Sequence, residues 1–134
     1  MILAPLILAA LFTVSGQHFK VECTYAARGG IAIAYPAYKK LPAIVYVRPW
    51  ICREPNRAVR SGHTTNRTGA ALLVLVHESL HIGGLRDECE TEAQAVRLLP
   101  TVAARLGINT PKVRKGARVM HSRLVAASLR HCTF

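Results

Sequence analysis

Acidic residues are scarce in this chain of 134 residues: seven Asp and Glu stand against eighteen Lys and Arg, a net charge of +11. After Glu92 there is no acid at all, while Arg97, Arg105, Lys112, Arg114, Lys115, Arg118, Arg123 and Arg130 follow. Such a surface attracts anionic partners, whether nucleic acid, cell-envelope polymer, lipid headgroups or acidic protein. The sequence has no nucleic-acid recognition motif and no interleaved aromatic platform, which argues against a dedicated nucleic-acid reader. It contains no C-x-x-C pair, so its cysteines do not spell a Cys-type zinc site. No internal repeat or low-complexity segment is visible. Charged residues make up 19% and hydrophobic residues 51%, which excludes a disordered chain. The length fits one domain with a modest core, where a metal or disulfides add useful stability.

The N-terminal apolar run, from Ile2 to Phe12, is too short for an ordinary membrane span. It fits the h-region of a signal peptide, with Val14-Ser15-Gly16 as a small-residue cleavage site. No Lys or Arg precedes the run, so the usual basic n-region is missing, and a buried N-terminal strand or helix is the other reading. The expectation is a leader over residues 1–16 and a single domain over 17–134, secreted or membrane-tethered. Four cysteines, Cys23, Cys52, Cys89 and Cys132, allow three pairings. We favour Cys23–Cys52 with Cys89–Cys132, because each would tie neighbouring elements.

Alternation over Phe19–Tyr25, Ile31–Tyr35 and Ala43–Val47 predicts three strands, with Arg28-Gly29-Gly30 as a turn. Pro49 should end the third strand or mark an edge, and the polar stretch from Arg53 to Arg67 reads as a loop. Three helices follow. The first runs from about Thr68 to Ile82, capped by Asn66 or Thr68 and stopped by Gly83-Gly84; apolar all round, it should be buried. The second starts at Asp87, the head of a capping box with Glu90, and ends near Leu106 with Gly107 as its cap. The third opens on Thr110-Pro111 and carries a core stripe of Val113, Ala117, Met120, Leu124 and Ala127. The fold class expected is α+β: a small N-terminal antiparallel sheet, then three helices.

The most informative segment is His77-Glu78-Ser79-Leu80-His81, an H-E-x-x-H match. Helix positions four apart share a face, so both imidazoles can reach one metal ion, and the Glu beside the first His can take a proton from water at the open position. A pair of hydrogen-bonded core histidines is the plainer alternative. It leaves Glu78 unexplained on a buried helix, which a metal site does not.

Zinc peptidases need a third protein ligand. His77 to Asp87 fits H-E-x-x-H-x-x-G-x-x-D, which resembles the short metzincin pattern of small secreted bacterial neutral proteases and implies Asp87 as the ligand. Alternatively, a helical hairpin about Gly83-Gly84 would run positions 88 and 92 back alongside 81 and 77, so that Glu92 reaches the metal, as in gluzincins. We favour Glu92, because Asp87 already has work as a helix cap; Glu88, on the same face as Glu92, is a weaker third candidate. Glu90 to Pro100 also resembles the second-helix stretch of small H-E-x-x-H peptidases that cleave repressors. The segment His77 to Ala95 is similar to small uncharacterised H-E-x-x-H proteins of actinobacterial type, and Pro49-Trp50-Ile51-Cys52 fits that likeness. About half the chain is covered by it, without the leader or the basic tail.

The function implied is a monomeric zinc metallopeptidase acting on a peptide or protein substrate. His77, His81 and Glu92 would hold Zn²⁺ and Glu78 would be the general base. His63, Tyr46 and His121 are candidate oxyanion donors. The alternative from another class is a non-catalytic, zinc-stabilised basic module that binds anionic envelope polymer or nucleic acid.

Overall fold

The computed structural model describes residues 1–25 and 30–134. They form α1 (Pro5–Ser15), β1 (Lys20–Glu22), β2 (Ala32–Tyr35), β3 (Ile44–Val47), α2 (Pro49–Ser61), α3 (Asn66–Ile82), α4 (Glu88–Arg105) and α5 (Pro111–Ser128). The class is α+β, with five helices and a three-stranded sheet among the described residues. The expected turn at Arg28-Gly29-Gly30 lies outside them except for Gly30.

The sheet is mixed rather than antiparallel. β3 is central, with β1 parallel to it on one side and β2 antiparallel on the other. The reason lies in burial. β3 is the most apolar strand, with Val45 and Val47 inside the core, so it takes both partners. A reading along the chain pairs neighbours as hairpins and misses a later strand inserted between two earlier ones.

Two helices add to the three expected, one of them the buried N-terminal helix that was the other reading of the leader. Residues 49–61 are helical although the stretch from Arg53 onward reads as a polar loop. Pro49 opens α2 at its first turn, where a missing N–H costs nothing, and Gly62 closes it in the left-handed conformation. Ile51, Cys52, Pro55 and Ala58 form the buried stripe, while Arg53, Arg57 and Arg60 face solvent. The polar majority hides an i, i+4, i+7 pattern. The other addition is α1, made from the apolar N-terminus. Leu3, Ile7 and Leu11 are wholly buried against the core. The Asn56 side chain accepts from the Ala4 N–H at 2.8 Å and donates to the Ile2 carbonyl at 2.8 Å.

The remaining helices follow their local signals. α3 is capped by Thr65, which exchanges hydrogen bonds with Thr68, rather than by Asn66 or Thr68. α1, α2, α4, α5, β2 and β3 all pack on α3, which is why 71–76 are apolar on every side. Asp87 and Thr110 cap α4 and α5 through the backbone N–H groups of Glu90 and Val113. Along α5, Val113, Ala117 and Met120 are buried, Leu124 is half-buried and Ala127 is exposed.

α5 crosses α3 at van der Waals contact between backbones. A Cβ on Gly69 would overlap the Val113 carbonyl oxygen, and one on Gly116 would overlap that of Asn66. Two disulfides, Cys23–Cys52 and Cys89–Cys132, close separations of 29 and 43 residues. Each contributes about 3.5–4 kcal/mol in a chain-entropy account. They are compatible with an extracytoplasmic protein. No described helix is long and apolar enough to cross a membrane.

Candidate metal centre

His77, Glu78 and His81 lie near the C-terminal end of α3, the third helix of the chain. Gly83 and Gly84 then allow the chain to reverse, and α4 runs back along α3 from its cap at Asp87. The Gln17 side chain holds the turn by donating to the Ile82 carbonyl at 2.6 Å. Glu88 and Glu92, one helical turn apart, thereby face His81 and His77.

The two carboxylates occupy different sides of the imidazoles. Glu92 accepts from Nδ1 of His77 at 3.0 Å and from Nδ1 of His121 at 2.6 Å, and it is wholly buried. Glu88 sits on the opposite side. Its Oε1 lies 2.7 Å from Nε2 of His81 and its Oε2 lies 3.2 Å from Nε2 of His77. His81 Nδ1 lies 2.7 Å from the Leu85 carbonyl, which can only accept, so this nitrogen carries a proton.

These partners fix the tautomers. With protons on both Nδ1 atoms, neutral imidazoles turn lone pairs at Nε2 toward one another, 3.2 Å apart, and toward the Glu88 carboxylate. Several acceptors therefore converge with no neutral donor among them, an arrangement that calls for a proton or a cation. The spacing suits zinc: ligand distances of about 2.0–2.2 Å set tetrahedral edges of about 3.3–3.5 Å. The two Nε2 atoms, 3.2 Å apart, are close to that edge, and each has a different Glu88 oxygen beside it, Oε2 at 3.2 Å from His77 and Oε1 at 2.7 Å from His81. His77, His81 and Glu88 are thus a donor set that fits a metal. Glu92 backs His77 and is not on the Nε2 side, and the Asp87 carboxylate is used in capping α4. A second grouping, Cys89, His131 and Cys132, has both sulfurs engaged in the disulfide.

Burial lowers the proton affinity of His77, but the Glu92 hydrogen bond and the charges of Glu78, Glu92 and Glu88 outweigh it, leaving the pKa above 6.5. Burial also pushes Glu78 above 4.5, with Glu88 adding to the rise and the two imidazoles opposing it. At these two groups the folded metal-free chain therefore holds its protons to higher pH than the unfolded chain. Its stability from these groups is present at low pH and falls as pH rises from 4.5, through the folded Glu78 value, and on through the folded His77 value above 6.5. Zinc needs neutral imidazoles, so its stabilisation runs the other way. Melting curves with chelator and with zinc should diverge increasingly as pH rises over this window; a constant gap would contradict a site built on His77.

Two clefts meet at this centre. One, about 400 Å³, runs between β2 and α3 and is lined by Ala32, Ala34, Glu78, His81, Arg86 and Glu88 among others. The other, about 220 Å³, reaches His77, Glu78 and Glu88 from the α5 side. The donor set is therefore open to solvent beside Glu78. Among the described residues β2 is the terminal strand of the sheet, and one of its edges has no strand partner.

Of the expected oxyanion donors, Tyr46 lines a groove on the far face of the sheet and His63 is exposed on a loop. His121 is joined to the centre, but through Glu92, with the Phe134 ring packed edge-on against it at 4.8 Å. Sequence reading missed Arg86, an exposed side chain on the wall of the larger cleft. Its one available signal was position, immediately after the turn that follows the motif. Protein-family models, curated proteins and solved structures were all compared with this chain, and none matches.

Proposed function

We propose that this chain is a small zinc-dependent metallopeptidase in which His77, His81 and Glu88 hold the ion and Glu78 is the general base. The observation that carries the reading is the convergence of two Nε2 lone pairs and one carboxylate beside an open cleft that also contains Glu78. A closed four-residue set would favour a structural ion; three donors facing a cleft favour catalysis. Zinc, when bound, supplies Lewis acidity to water and to a carbonyl oxygen.

The other parts of the reaction belong to the chain. Glu78 removes a proton from the attacking water and returns it to the leaving amine. Arg86 stands on the same cleft wall and is placed to meet negative charge on the carbonyl oxygen. An extended polypeptide can pair with the open edge of β2, which would hold its backbone along the cleft. Glu92 fixes the ring of His77 and the proton on its Nδ1, and His121 shares the charge of that buried carboxylate. The two disulfides support action outside the cytoplasm, secreted or membrane-tethered. We infer a monomer acting on peptide or protein.

The test counts zinc in the purified, disulfide-bonded chain and measures hydrolysis of a denatured protein substrate. About one zinc ion per chain is expected. It should be lost in His77→Ala and in Glu88→Gln and kept, more weakly, in Glu92→Gln, with hydrolysis following the metal. Retention in Glu88→Gln with loss in Glu92→Gln would return the third ligand to Glu92. A folded chain that takes up no zinc would reject the reading.

A further inference from the structure

We propose that the tyrosine-lined outer face of the sheet is a docking surface for an anionic lipid bilayer. All four tyrosines of the chain, Tyr25, Tyr35, Tyr38 and Tyr46, border one open groove of about 790 Å³. Ile33, Ile44 and Leu41 complete its apolar wall, and among the described residues no charged side chain lines it. Strand alternation produces this face. Val45 and Val47 point into the core, so Ile44 and Tyr46 point out, beside Ile33 and Tyr35 of β2. Tyr35, Tyr38 and Leu41 are 51%, 65% and 68% exposed, an unusual concentration for a water-facing sheet.

The rim of the groove supplies the sign of the partner. Tyr38 and Leu41 exchange backbone hydrogen bonds across a tight turn whose two central residues are Lys39 and Lys40. Lys39 adopts φ 53°, a left-handed conformation that glycine or asparagine takes at lower cost. A lysine held there places its charge at the apolar tip, and among the described residues neither lysine pairs with an acid. From Cys23 to Arg53 the sequence has no Asp or Glu, and β1 sets one cation and one acid, Lys20 and Glu22, beside Ile44 and Tyr46 on the same face. An apolar, tyrosine-rimmed wall beside paired lysines matches the bilayer interface, where aromatic rings sit at headgroup level and lysines meet lipid phosphates. A glycan would need polar side chains in the groove to meet its hydroxyls, and among the described residues the wall offers tyrosine hydroxyls alone. Ile33 and Pro36 also line the cleft beside His81, so docking would set that cleft next to the membrane surface.

The test is co-sedimentation of the full chain with vesicles of phosphatidylcholine alone and of equimolar phosphatidylcholine and phosphatidylglycerol. Partitioning is expected only with the anionic vesicles and should weaken with salt. Lys39→Ala with Lys40→Ala should lower it roughly 30-fold, at about fivefold per lysine near the surface. Tyr38→Ser and Leu41→Ser should each lower it by about tenfold or more. These residues are exposed, and an unchanged melting curve would establish that the variants fold. Equal binding by wild type and turn variants overturns the proposal. So does an equal loss from Lys112→Ala with Lys115→Ala, which would mean that net charge alone drives adsorption. A concentration-dependent dimer in light scattering that Tyr38→Ser abolishes would overturn it in favour of a second copy of the chain.

Discussion

Replacing Glu78 by Gln should lower hydrolysis by about 10²–10⁴-fold while zinc remains bound. Glutamine keeps the size of the side chain but cannot accept the proton from water. The carboxylate is not among the three converging donors, so its loss should leave the metal count unchanged. Zinc titration, kcat and KM measured together separate the outcomes. Intact zinc with a collapsed kcat supports Glu78 as the base. Full activity in Glu78→Gln would sink the mechanism without touching the metal site.

Deleting residues 1–16 should abolish cooperative folding. Leu3, Ile7 and Leu11 are all 0% exposed. Burying three such side chains is worth roughly 5–9 kcal/mol, at about 1.5–3 each. The whole stability of a domain is about 5–15 kcal/mol. Deletion also removes the two hydrogen bonds that join Asn56 to α1. Near the metal centre, the backbone of Ser15 packs closely on Gly83 at the end of α3. Thermal unfolding of the chain from Gln17 onward, disulfides intact, would decide it. A midpoint within a few degrees of the full chain would mean that α1 is dispensable and would leave the leader reading of this segment intact.

The hairpin about Gly83-Gly84 was legible because each part has a local signature: an apolar run, a pair of glycines, and an Asp that caps the next helix. From it, the approach of 88 and 92 to 81 and 77 followed by helix geometry alone. The cysteine pairing was legible for a similar reason, since each bridge joins elements already brought near. The polar helix α2 was not, because Arg53, Glu54, Asn56, Arg57 and Arg60 interrupt the four residues of its buried stripe and mask their spacing. Nor was the mixed sheet, whose order depends on which strand is most buried.

What the sequence determined by itself is the chemistry available: two histidines one turn apart, a glutamate between them, and acids at the start of the following helix. Which acid faces which ring nitrogen only the tertiary structure decided. Glu88 and Glu92 share a helix face, and spacing cannot rank them. The axial offset of α4 against α3 does, set by the Asp87 cap at one end and by the packing of α5 and the Cys89–Cys132 bridge on the other elements. That offset sets Glu88 beside the two Nε2 atoms and sends Glu92 behind His77, where it meets His121 from a helix 29 residues further on. Side-chain type is local information, whereas the side from which a carboxylate approaches an imidazole is a property of packing.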